Sequence, residues 1–136
     1  MANVRHFTLE GGQRSDPTVE RWLSALPGEL GAIAVRWFDQ MRSCGPDVLE
    51  LLHDGQATAC VGNLPFGYVA LFGSHVNVGF YFGSALQDPD CLLTGSGRFM
   101  RHVRVQPGIV SKDGALQALI AVAYNDAKAR AAAGFK

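Results

Sequence analysis

HVNVGFYFGSALQDPDCLLTGSGRFMRHVR, His75 to Arg104, is the stretch on which the reading of this chain turns. In its first eight residues Val76, Val78, Phe80 and Phe82 point one way, while His75, Asn77, Gly79 and Tyr81 point the other. That is the period of a strand with one covered face and one more polar face. Asp88 followed by Pro89 then predicts a short helix over Pro89 to Leu93, because Asp can cap free amides and Pro suits a first helical position. Thr94, Gly95, Ser96 and Gly97 predict a flexible turn. Met100 to Val105 reads as a basic strand by its alternation and β-branched content.

Working outward, the segment Phe66 to Phe72 is parted from His75 only by Gly73 and Ser74, which predicts a tight reversal between antiparallel strands. Further upstream, Val48 to His53 and Ala57 to Val61 flank Asp54 and Gly55, a pair that accepts positive φ and so favours a hairpin. With the strand at Met100 to Val105, the meander has five strands. Before it, Asp16 and Pro17 open a helix whose Val19, Trp22, Leu23 and Leu26 share a face. Pro27 ends that helix and can open the next, in which Leu30, Ile33, Ala34, Trp37, Phe38 and Met41 recur at helical spacing. Such a stripe requires a covered face, so it is read as core rather than as a cofactor box. After Pro107 and Gly108, Ser111 can cap a final helix with Leu116, Leu119, Ile120 and Ala123 inward and Lys128 and Arg130 in its last turns. The expected fold is α+β, a two-layer sandwich of a mainly antiparallel five-stranded sheet with N-terminal and C-terminal helices packed on one face. Residues 16–133 form the single expected domain, and residues 1–15, with Gly11 and Gly12, a loosely ordered lead-in.

Composition narrows the function classes. A chain of 136 residues suits one core, and 48% apolar with 18% charged residues describes a packed globule. Twelve basic residues balance twelve acidic ones, so the molecule as a whole has no long-range attraction for nucleic acid. No apolar run approaches the roughly 20 residues that span a bilayer, and the first residues lack a secretory apolar core; a cytoplasmic address without membrane contact is expected. Cys44, Cys60 and Cys91 form no CxxC pair and are read as free thiols.

The run His75, Val76, Asn77, Val78, Gly79, Phe80, then Gly83, Leu86, Asp88, Pro89, Leu92, Leu93, Gly95, Gly97, Arg98, Met100, Arg101 and His102, resembles the signature of the YdhG-like proteins, a domain-of-unknown-function family. Phe66, Tyr68, Val69 and Phe72 upstream and Leu119, Ala123 and Tyr124 downstream extend the resemblance over Pro46 to Arg130. The resemblance implies an α/β sandwich related in layout to frataxin and, for some relatives, intracellular iron chaperoning. In this chain His53, Asp54, Asp88 and Asp90 would be the weak iron ligands.

On chemistry alone, Gly95, Gly97, Arg98, Arg101 and His102 stand in a stretch with no acid between Asp90 and Asp113. Glycines let backbone amides approach an anion, and Arg grips a carboxylate or phosphate with two parallel bonds. With His75 and Asn77 from the polar strand face they make a candidate anion site; the plainer reading has the arginines solvated or paired with Asp88 and Asp90. His53, His75 and His102 show no HxH or HExxH spacing. Cys91 would occupy the first turn of the short helix, with Asp88 and Asp90 opposing its thiolate. No triad order or paired-carboxylate spacing supports a reaction. Between Arg42 and Arg98 there is no Lys or Arg, which suggests a second sheet face partly covered by a partner subunit or a ligand. The expected function is a non-enzymatic binding domain for a small anionic ligand or a protein partner. The alternatives are a frataxin-like iron chaperone and a structural module that self-associates as a homodimer.

Overall fold

The computed structural model describes residues 7–133. Its elements run α1 (Pro17–Ser24), α2 (Gly28–Arg42), β1 (Val48–His53), β2 (Gln56–Val61), β3 (Leu64–Leu71), β4 (Val76–Phe80), β5 (Arg101–Val105) and α3 (Asp113–Ala132), with one turn of 3-10 helix at Gly83–Ala85. The five strands lie in sequence order and every neighbour is antiparallel. This is the expected meander. Asp54 (φ 51°) and Gly55 (φ 72°) make the first hairpin turn in the left-handed region, as a two-residue loop between right-twisted strands demands.

The helices cover one face of the sheet. Val76, Val78 and Phe80 of β4 are buried there with Ala57, Ala59, Val69, Val103 and Val105 of the neighbouring strands. Against them pack Ala34, Trp37, Phe38 and Met41 of α2 and Leu116, Leu119, Ile120 and Ala123 of α3, the stripes predicted from helical spacing. A bulge between Ala59 and Cys60 lets Phe66 join this layer, where its ring meets Tyr124 of α3 edge-on at 5.8 Å. Glu50 is the one acid turned inward from β1, 3% exposed. Its carboxylate takes a two-bond grip from Arg42 at 2.8 and 3.1 Å, which is how a buried charge is made tolerable.

Asp16 caps α1 as expected, accepting from the Thr18 amide at 2.8 Å. The final helix departs slightly from expectation. Lys112, not Ser111, occupies its N-cap, and the Ser111 hydroxyl donates instead to the Asp113 carboxylate.

One other expectation needs correction. The helix over Pro89–Leu93 does not form. Both Asp88 oxygens accept amides, but from Leu92 and Leu93 at 2.9 and 2.8 Å, farther along than a helix cap reaches, and Cys91 turns left-handed at φ 54°. Cys91 is therefore an exposed loop thiol with no helix N-terminus behind it. Residues 7–15, expected as a loose lead-in, touch the sheet at three points: Gln13 bridges Glu50 on the free edge of β1, the Leu9 amide donates to the Asn63 carbonyl at 2.8 Å, and Phe7 packs on Tyr81. Residues 1–6 lie outside the described part. Residues 7–15 also cover part of the second sheet face, with Phe7 on Tyr81 and Gly12 beside Leu49 and Leu51.

Candidate functional site

The second face of the sheet is built from the alternate set of side chains. Tyr68 of β3 lies opposite Gly79 of β4, and a Cβ on Gly79 would fall 2.0 Å from the Tyr68 ring. The bare backbone of Gly79 is thus what lets Tyr68 lie flat across the sheet. Tyr81, just past β4, meets Tyr68 edge-on at 5.5 Å, the geometry in which the positive edge of one ring faces the negative face of another. Burial pushes the Tyr81 phenol up to about 12, relieved only in part by the Thr58 hydroxyl, and burial likewise raises Tyr68. Both hydroxyls stay protonated.

These two rings floor a cleft of about 680 Å³. The β1–β2 hairpin supplies one wall, with His53, Asp54 and Gln56; the other comes from the β4–β5 connection, with Phe82, Ser84, Phe99 and Met100. That connection closes on itself, since the Ser84 amide donates to the Phe99 carbonyl at 2.9 Å. A wall built on a closed loop with a single 3-10 turn is held without a longer helix or strand. Phe7, Ala85 and Arg130 complete the lining. Phe7, Phe99 and Met100 are 50%, 54% and 42% exposed, so large apolar groups left in water converge on one concavity. The cleft's polar side chains have local partners: His53 Nε2 stands 3.3 Å from Asp54, and Arg130 is held by Asp126 at 2.7 Å while its guanidinium lies over Phe82.

A second recess, of about 290 Å³, borders Arg14, Glu20, Arg42 and Glu50. Arg42 there already reaches Glu50, Asp39 and Glu20, so its polar groups answer one another.

The residues singled out from sequence are placed as follows. His75, Asn77 and His102 all stand on the second face, but in register His102 faces Gly79 and Asn77 faces Arg104, leaving the two histidines four positions apart along the sheet. His75 stacks on Phe72 at 5.0 Å; its Nδ1 and the Asn77 Oδ1 are buried without a hydrogen-bond partner among the described residues. Burial, then Arg104 and His102, lowers the His75 pKa. Arg101 turns back onto the Gly97 and Met100 carbonyls, and Arg98 lies over Phe99. Gly95, at φ 120°, sits where the loop passes Arg101 and His102. Of the set, these groups brace the loop and do not converge on one empty point.

The proposed iron ligands fit a metal poorly. Asp88 has both carboxylate oxygens occupied by amides. His53 and Asp54 belong to the hairpin and Asp90 to an exposed loop position, and among the described residues no group of three or more His, Cys, Asp or Glu is gathered to hold a metal. Burial raises the Cys60 thiol to about 12, and burial with Asp47 raises Cys44 to about 11. Neither is an activated nucleophile. Among the described residues no helix is long and apolar enough to cross a membrane.

No family model, curated protein or solved structure matches the chain. The resemblance to the YdhG-like proteins therefore rests on the residues quoted above alone. The aromatic cleft was not found from sequence, although Tyr68, Tyr81, Phe82, Phe99 and Met100 all lie in or near the decisive stretch. Its one available signal was Tyr81 on the polar side of an alternating strand.

Proposed function

We propose that this protein is a small-molecule-binding domain whose ligand lies in the cleft between the β1–β2 hairpin and the β4–β5 connection. The observation that carries the reading is the convergence of Phe7, Phe99 and Met100, all substantially exposed, over a floor of Tyr68 and Tyr81. A concave, mainly apolar site with a few polar groups at its edge is the common form of a small-ligand site. The ligand it suits has an apolar or aromatic body, with a polar end beside His53, Gln56 or Arg130. A simple inorganic anion held by Gly95–Arg104 is a weaker reading, because Arg101 already serves the loop's own carbonyls.

The test is titration of the purified protein with a naphthol, followed calorimetrically, alongside Tyr81→Ala and Phe99→Ala. Saturable binding to the parent chain that weakens by about tenfold or more in each variant, equivalent to about 1.4 kcal/mol, with the fold retained, supports the reading. Binding unchanged in both variants would sink it.

A further inference from the structure

Phe7 differs from the other groups around the cleft in how it is held. Its ring lies nearly parallel to Tyr81, 15° apart with centroids at 5.8 Å, and tilts against His53 at 5.6 Å. Half of it is still exposed. The backbone that carries it is fastened at Leu9, through the Asn63 carbonyl, and at Gln13, through both bonds to Glu50. Phe7 lies beyond the last of these anchors, so it can leave Tyr81 while both stay made. A flat ring stacked on Tyr81 and tilted against His53 also shows what the slot accepts: a planar aromatic group in offset stacking.

From this we infer that the ligand of the cleft presents a planar aromatic ring to Tyr81 and His53, and that Phe7 is an intramolecular occupant of that same place, displaced on binding. The inference rests on the cleft being a ligand site. While Phe7 is docked, only the undocked fraction of molecules can bind, so apparent affinity is lowered by that fraction.

The experiment compares the full chain with its Phe7→Ala and Phe7→Leu variants, using a naphthol and its fully saturated decahydro analogue as probes. The result expected is that naphthol binds Phe7→Ala about tenfold tighter than the parent, with Phe7→Leu falling between, and that the saturated analogue binds each chain more weakly than naphthol does. Equal or weaker binding to Phe7→Ala, with binding to the parent intact, would make Phe7 a wall of the site and overturn the inference alone. A saturated analogue that binds Phe7→Ala as tightly as naphthol would overturn the aromatic class. Absence of binding to every chain would overturn the cleft reading and this inference together.

Discussion

Gly79 decides more than its size suggests. A methyl group there would collide with the Tyr68 ring, whose Cε2 and Cζ both stand 2.0 Å from the added carbon, and Tyr68 has Tyr81 beside it. Gly79→Ala is therefore expected to destabilise the fold by about 1–3 kcal/mol, as overpacking does, and to weaken naphthol binding by displacing the cleft floor. Chemical denaturation and the same titration check both halves; a variant as stable as the parent that binds normally would contradict the packing described. At this scale the sequence was only partly legible. Alternation put Gly79 and Tyr81 on one face, but the covering of a glycine by a ring on the next strand depends on register, which no short pattern carries. Arg101 is ambiguous for a related reason: a guanidinium serves loop carbonyls as readily as an incoming anion, and no short pattern distinguishes the two.

His75 gives a second prediction. Its pKa is depressed in the folded protein, so the unfolded chain binds more protons below the usual histidine value of about 6.5. The sign follows from linkage: stability is full above about pH 6.5 and falls as the pH drops from there toward the folded pKa. Asp47 and Asp113, held low by Tyr124 and by Ser111 with Arg36 respectively, act in a more acidic range. Between pH 5 and pH 7 the melting temperature is expected to rise, and His75→Gln to flatten part of that rise. A variant with an undiminished slope would remove His75 from the account.

Among the elements, both exposed edges of the sheet are treated alike. On β1 the Glu50 amide and carbonyl, which point away from β2, are taken by Gln13 at 2.9 and 3.0 Å; on β5 those of His102 are taken by Thr94 at 3.0 and 2.8 Å. A bridge of one residue interrupts each row of free backbone groups and so hinders pairing with another chain. Gln13→Pro removes a donor from the β1 bridge. It is expected to cost about 1 kcal/mol and to produce a concentration-dependent dimer in light scattering. Unchanged stability and a monomer at all concentrations would mean that the bridge protects nothing. The strands and helices themselves were legible: helices and outer strands repeat their apolar residues at a regular period, while β2 and β3, buried along nearly their whole length, are marked by the turns that flank them. The bridges were not, since a single residue of contact has no period. Nor was the failure of the helix at Pro89: Asp and Pro mark a chain reversal as well as a helix start, and the left-handed Cys91 selects the former.

For the molecule as a whole, one layer of helices seals one sheet face, and the N-terminal segment with the β4–β5 connection partly roofs the other. The first face was predicted because a core is a property of many residues in phase. The second combines residues as far apart as Phe7, Tyr68 and Arg130, and only the folded topology brings them together. Under the proposed function, this division places the main core on the helix face and ligand binding on the opposite one. It also explains why Phe7, read from sequence as part of a lead-in, belongs to the candidate site. The most direct measurement is a nuclear magnetic resonance titration of the isotope-labelled full chain with naphthol, following every backbone amide. The cleft account predicts shifts concentrated at His53 to Gln56, Tyr68, Tyr81 to Ala85 and Phe99, with Phe7 and Leu9 moving as the ring is displaced. Shifts centred instead on His75, Asn77 and Arg104, or spread without focus over the surface, would contradict it.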